Sequence, residues 1–207
     1  MQVNPLEQLT DLFERFPGIG PRQARRFVHF LLSERPAFRA DLAEQIRHLG
    51  SQTSQCRKCY RWFVKSTTGA TLCSICSNTK REVQTLFVVE KDADIENVER
   101  SGFTGLYFVL GGTIPLASEE PEKHTRIREL FARVEADASS LTLTEVILGL
   151  SATTEGDHTR QILQEKMRPV AEAFNFKISS LGRGLSTGSE LEYADPDTIA
   201  SALSSRN

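Results

Sequence analysis

Residues 54–81 read SQCRKCYRWFVKSTTGATLCSICSNTKR, and they separate two kinds of text in this 207-residue chain. They hold all four cysteines, Cys56, Cys59, Cys73 and Cys76, spaced C-x2-C-x13-C-x2-C. A short Cys-x2-Cys turn aims two thiolates at one point, and two such turns supply the four ligands of a tetrahedral zinc site. Bound Zn2+ displaces the thiol protons to solvent and turns binding energy into folding energy. Residues 54–80 are too few and too polar to hold a core alone, so one metal ion per chain is the expected source of their stability. An Fe–S cluster is the second reading of such a set. Disulfides are the third, and a reducing cytosol disfavours them. The flanking Arg57, Lys58, Arg61, Lys65, Lys80 and Arg81 either meet phosphates or keep a small module in solution. Trp62 and Phe63 either stack on bases or pack against a neighbouring domain.

Upstream of the cysteines the pattern is helical. Leu6, Leu9, Leu12, Phe13 and Phe16 recur at helical spacing and predict a helix over 5–16. Pro17-Gly18-Ile19-Gly20-Pro21 breaks it, and Pro21 suits the first position of a second helix because its missing N–H would be unbonded there. That helix runs to about Glu34 with Ala24, Phe27, Val28 and Leu31 on one face. A third covers 37–49, with Phe38, Leu42, Ile46 and Leu49 expected to point inward. Two helices joined by h-x-x-h-P-G-h-G look like a helix-hairpin-helix. Gly18 and Gly20 let backbone amides approach a phosphate, the start of the second helix adds partial positive charge, and Arg22 and Arg26 extend the anion site on one face. The alternative is a plain Gly/Pro turn between core helices. His29 reads as a half-buried helix residue.

Downstream the text alternates. Short β-rich runs at 86–89, 106–110, 145–150 and 176–179 are separated by helical text at 92–100, 124–138 and 157–174. Strands alternating with helices imply βαβ units and a parallel sheet. Tyr107 is expected in the core. Glu90 ends the first strand and Glu155-Gly156-Asp157 follows the third. Strand C-termini converge on one edge of such a sheet, so these acids either share Mg2+ or serve as caps and solvated surface, with Asp157 as a candidate N-cap. The Ser-rich end, residues 201–207, is expected to fray, with Ile199 and Leu203 as its anchors.

The net charge of −2 conceals an asymmetry. Residues 1–81 carry 13 Lys+Arg against 6 Asp+Glu (+7), and residues 82–207 carry 12 against 21 (−9). The basic part is suited to phosphates, and the acidic part to a metal or a basic partner. No run of 18 apolar residues exists, and the opening MQVNPLEQLTDLFERF has acids where a signal peptide needs basic and apolar text. The expectation is a cytoplasmic protein.

These features in this order resemble the RecR family of bacterial recombination mediators. The resemblance is carried by Phe16-Pro17-Gly18-Ile19-Gly20-Pro21, Cys73-Ser74-Ile75-Cys76-Ser77-Asn78, Val88-Val89-Glu90, Tyr107-Phe108-Val109-Leu110, Thr144-Glu145-Val146-Ile147-Leu148 and Thr154-Glu155-Gly156. It extends to Arg183-Gly184-Leu185 with Gly188, and to Leu191-Glu192-Tyr193-Ala194-Asp195. It implies a multidomain α/β protein: a helix-hairpin-helix domain over 1–53, a four-Cys zinc finger over 54–80, a Toprim-like domain over 81–175, and a closing G-R-G-L segment and tail over 176–207. It further implies a non-enzymatic DNA-binding clamp, a homotetrameric ring that encircles DNA without base specificity. Such a clamp acts with RecO-like and RecF-like partners to help load recombinase on single-stranded DNA.

By the same resemblance the DNA-binding positions fall on Arg22 and Arg26, and the zinc ligands on Cys56, Cys59, Cys73 and Cys76. The Toprim acids fall on Glu90, Glu155 and Asp157, tied to partner binding more than to catalysis, with Mg2+ as an alternative ligand that is not expected to be catalytic. Three stretches depart from the family pattern: the longer gap between cysteine pairs, the loop Thr113–Glu120, and Ser151-Ala152 ahead of Thr154. Two other classes compete with the mediator, a metal-dependent Toprim nuclease and a zinc-stabilised scaffold that binds only proteins.

Overall fold

The computed structural model describes residues 4–66, 69–118, 120–140, 143–182, 184–185, 188 and 190–204. The chain divides after Thr53 into two compact units. The first unit is three helices, α1 (Pro5–Glu14), α2 (Pro21–Ser33) and α3 (Pro36–Gln52). Each begins on proline, which lacks the N–H that a first helical turn cannot bond. Asn4 caps α1 by accepting the Leu6 amide at 3.0 Å. Buried in this unit are only Thr10, Ala24 and Val28 among the described residues. The inward facing expected of Phe38, Leu42, Ile46 and Leu49 is not found: all four are exposed, as are Leu12 and Phe16. The reason is geometric. Leu12, Phe16, Leu42 and Ile46 line an open groove of about 800 Å³ instead of meeting a fourth layer. His29 is likewise exposed, not half-buried.

The second unit is built on a four-stranded parallel sheet in the order β4-β3-β5-β6, from β3 (Thr85–Val89), β4 (Leu106–Val109), β5 (Glu145–Gly149) and β6 (Lys177–Ser180). A parallel sheet must be covered on both faces, and its alternation divides the cover. Leu86, Val88, Phe108, Val146 and Leu148 face α5 (Ile127–Ser140) and α6 (Thr154–Phe174), packing with Leu130, Val134, Leu163 and Met167. Phe87, Val89, Tyr107 and Val109 face the other way, toward Ile95 of α4 (Asp92–Arg100) and the cysteines. Tyr107 is fully buried as expected, and its hydroxyl donates to Glu99 Oε1 at 2.7 Å.

The finger is therefore not a separate globule. Its first part forms a two-stranded sheet of β1 (Thr53–Gln55) and β2 (Trp62–Val64), which the periodicity did not reveal because each strand is three residues long. At the far end, helix α7 (Pro196–Ser204) continues through the Ser-rich text, where fraying was expected as far back as 201; Asp195 accepts the Thr198 amide at 2.8 Å and fixes its first turn. Arg183 of the G-R-G-L segment, Glu119 of the loop after Gly112 and residues 205–207 lie outside the described residues. No described helix is long and apolar enough to cross a membrane.

Candidate metal centre and nucleic-acid interface

The four cysteine sulfurs come together. All lie within 4.8 Å of one another, and Cys59 Sγ and Cys73 Sγ are 3.6 Å apart. Four thiolates at about 2.3 Å from one zinc ion would stand about 3.8 Å from each other in a tetrahedron, so the donor set fits that metal. Cys56, Cys59 and Cys73 are buried, and none of the four is in a disulfide. The backbone explains the convergence. Tyr60 takes a left-handed conformation (φ 62°) and its amide bonds the Cys56 carbonyl at 2.9 Å, closing the first turn. In the second, the Cys76 amide donates to Cys73 Sγ at 3.5 Å and the Ser77 amide to the Cys73 carbonyl at 3.0 Å.

Crowding makes the thiols unequal: the hydrogen bond from Cys59 draws the Cys56 thiol far down, and the same bond pushes Cys59 far up. Without a cation the four cannot ionise together; bound zinc would hold all four as thiolates and tie the two turns. Trp62 and Phe63 part company. Phe63 packs into the cluster around the cysteines, whereas Trp62 is 54% exposed and its amide donates to Asp92 Oδ1 at 2.8 Å. Arg81 is withdrawn from any phosphate role: it pairs with Glu99 and donates to the Phe103 and Gly105 carbonyls.

The hairpin Pro17–Pro21 presents few amides by construction. Two of its residues are prolines, and the Ile19 amide is spent on the Phe16 carbonyl at 3.1 Å. Those of Gly18 and Gly20 carry no hydrogen bond within the described residues. Gly18 needs its positive φ of 77°, and a Cβ at Gly20 would meet nothing within 4 Å. Gly20 is the N-cap of α2, so the open side of this turn lies at the positive end of a helix. Arg22 and Arg26 are exposed on α2, with Arg26 Nη1 donating to Gln23 at 3.2 Å.

For the acids, a shared cation and a capping or surface role were both open. Among the described residues, only the cysteines form a group of three or more convergent ligand atoms. Glu90 follows β3 and takes a long 3.4 Å hydrogen bond from the Ser151 amide and an ion pair with Lys91 at 3.2 Å. Burial would raise its carboxyl, but these partners outweigh it and hold it below the usual range. Asp157 pairs with Arg160, and Glu155 accepts from Thr113 Oγ1 at 3.3 Å. Asp157 is not the N-cap of α6. Thr153 is, accepting the Gly156 amide at 3.1 Å, which places Glu155 and Asp157 in the first turn. The three acids therefore border the crevice at the C-terminal ends of β3 and β5, where the strand order reverses.

Family models agree with this layout. One described as RecR, helix-hairpin-helix, matches residues 6–49; a Toprim domain matches 84–180; and one described as RecR, C-terminal, matches 184–207. Recombination protein RecR of Herpetosiphon aurantiacus is 38% identical over 204 residues, spanning 98% of this chain and 93% of that protein. The chain belongs to the RecR family. Its relatives of the same name in Chloroflexus aggregans and Prochlorococcus marinus are 36% and 37% identical, over 98% and 99% of this chain and 93% and 95% of theirs. The RecR relationship joins the hairpin and the Toprim sheet in one protein, as the order of motifs implied, and the four cysteines lie between the two matched stretches.

Sequence reasoning missed several residues around these sites. Arg133 of α5 donates to the Lys58 carbonyl at 2.9 Å, and Arg126 lies over the Tyr60 ring at 5.5 Å. The only signal for the first was an Arg–Asp pair four apart on a helix, which resembles an ordinary solvated pair.

Proposed function

We propose that this protein is a non-enzymatic mediator of recombinational DNA repair that grips the DNA backbone through its helix-hairpin-helix. The observation that carries this reading is the hairpin itself: unengaged Gly18 and Gly20 amides at the start of α2, with exposed Arg22 and Arg26 beside them. Such contacts read phosphates and not bases. The reading includes a homo-oligomeric, ring-shaped clamp, homotetrameric and able to encircle DNA. The open groove of the helical unit supports it, because Leu12, Phe16, Leu32 and Ile46 gain cover only from another chain or another segment. It also includes RecO-like and RecF-like partners that engage the acidic edge at Glu90, Glu155 and Asp157, and help in loading recombinase on single-stranded DNA. Domains bounded at 1–53, 54–80, 81–175 and 176–207 and a cytoplasmic setting, which keeps four thiols reduced for zinc, complete it.

Replacing both Arg22 and Arg26 by Ala should weaken DNA binding and flatten its dependence on salt, read by fluorescence anisotropy across a salt series. Unchanged affinity and slope would remove the hairpin contact. Mg2+-dependent DNA cleavage that vanishes in Glu155→Ala would replace the mediator with a nuclease, and no DNA binding at low salt would leave a protein-only scaffold.

A further inference from the structure

The two cysteine turns are held in unequal ways. Apart from the thiol contact of Cys73 Sγ with Cys59 Sγ at 3.6 Å, the hydrogen bonds of Cys73–Asn78 among the described residues stay within residues 73–81. The first turn is fastened from outside at three consecutive residues. Arg133 Nη1 donates to the Lys58 carbonyl at 2.9 Å, the Val109 amide donates to the Cys59 carbonyl at 2.8 Å, and the Tyr60 ring lies between Phe108 and the Arg126 guanidinium. The Arg133 contact spans 75 positions of sequence.

Arg133 is an unusual choice for a merely structural bond. Its side chain is 9% exposed, Asp137 holds its Nε from the next turn of α5 and is equally buried, and Nη2 is buried without a hydrogen-bond partner among the described residues. A buried ion pair recovers little beyond its own desolvation, and apolar side chains of that volume would stabilise the packing as well. What the pair supplies and apolar residues cannot is a fixed donor aimed at the carbonyl directly before Cys59.

We propose that Arg133, held in place by Asp137, is a positioning residue for the metal centre: it sets the first Cys turn before metal arrives and thereby raises zinc affinity without touching the ion. The inference rests on reading the four cysteines as a zinc site. On this account Cys56 and Cys59 form the preset half, and Cys73 and Cys76 close onto it. Lys cannot replace Arg here, because one ammonium cannot reach both the Asp137 carboxylate and the Lys58 carbonyl in the geometry of a guanidinium fork.

The test is zinc affinity of the full-length protein, measured by competition with a chelator of known affinity, together with Co2+ substitution spectra. Arg133→Ala should weaken zinc binding about 10–100-fold, the range found when outer-shell partners of metal ligands are removed. The Co2+-saturated variant should keep its tetrahedral spectrum. Asp137→Asn should lose less, and Arg133→Lys should lose nearly as much as Arg133→Ala. Val134→Ala, on the same helix and packed in the sheet core without a hydrogen bond to the first Cys turn, should leave zinc affinity unchanged while lowering stability. If Arg133→Ala does not fold, Asp137→Asn and Arg133→Lys carry the comparison. Wild-type affinity in the Arg133 and Asp137 variants, or an equal loss in Val134→Ala, would overturn the role of Arg133. A wild-type protein that takes up no zinc would overturn the site itself, which is a different failure.

Discussion

In the unit after Thr53, Val88, Tyr107, Phe108 and Leu163 are sealed from water, whereas in the helical unit Phe16, Leu32 and Ile46 stand more than half exposed. Both segments carry clear apolar periodicity, so periodicity alone does not say whether a face will be covered by its own chain. A parallel sheet has two faces, and its crossover helices close at least one of them as a condition of the topology. Here α5 and α6 cover one face, while α4 and the cysteine turns cover the other. Three short helices face no such condition. Their apolar stripe remains until something else meets it, and covering each large side chain would be worth about 1.5–3 kcal/mol.

Zinc removal should have the largest effect and should fall on one unit. At zinc levels 1,000 times its dissociation constant the ion contributes about 4 kcal/mol. Chelation should therefore lower the unfolding midpoint of the unit that contains the finger and leave the helical unit's transition in place. Trp62 fluorescence follows the unit with the finger, and the helical circular dichroism of both units should melt in two phases of which chelation moves only the one that coincides with Trp62; a common shift of both phases would show that they unfold as one body.

Next comes a pair of truncations. Leu163→Ala in the sheet core should cost about 2–5 kcal/mol in urea unfolding. Ile46→Ala in the groove should cost well under about 1 kcal/mol in the isolated chain yet shift light-scattering mass toward smaller species. If Ile46→Ala destabilised the monomer as Leu163→Ala does, the groove would be a closed core and the contrast between units would fail.

Two glycines sharpen the same contrast. A Cβ on Gly149 would be driven into the buried Phe87 ring, so Gly149→Ala should cost about 1–3 kcal/mol. Gly20→Ala meets open space, so it should change stability by less than about 1 kcal/mol while weakening DNA binding.

The smallest effect concerns pH. Burial would raise the Glu99 carboxyl, but Arg81 and the Tyr107 hydroxyl hold it below its ordinary value. A carboxyl lowered by folding contributes stability above its unfolded value near 4.3 and loses it as pH falls through the lower, folded value. Glu99→Gln should therefore cost about 1 kcal/mol at neutral pH, a figure reduced for partial solvent screening, and make unfolding free energy less steep below about pH 4. An unchanged acid slope would mean that Arg81 finds another partner.

The order of elements, the convergence of four cysteines and the hairpin were all legible in the linear text. Each depends on local rules: proline at a helix start, a two-residue gap between thiolates, alternation of β-rich and helical runs. Even Tyr107 could be assigned to the core from its place in Leu106–Leu110. The cap of α6 was legible only in part. Asp157 and Thr153 are both good cap residues, and the chain chose Thr153 because its hydroxyl meets the Gly156 amide one turn ahead of Asp157.

Tertiary structure alone decided the rest, because each remaining feature joins residues far apart in sequence. The spacing of Cys56–Cys76 specified a candidate metal site but not that its core would be shared with Phe87 and Val109. Amphipathic text specified three helices but not that Ile46 and Phe16 would stay open to solvent. Glu90 after β3 and Glu155 and Asp157 after β5 left a shared cation and a capping or surface role both open, and their observed partners are Lys91, Thr113 and Arg160. Arg133 and Lys58, 75 residues apart, carried no pairwise signal at all; only the packing of α5 beside the finger brought a buried guanidinium to that carbonyl.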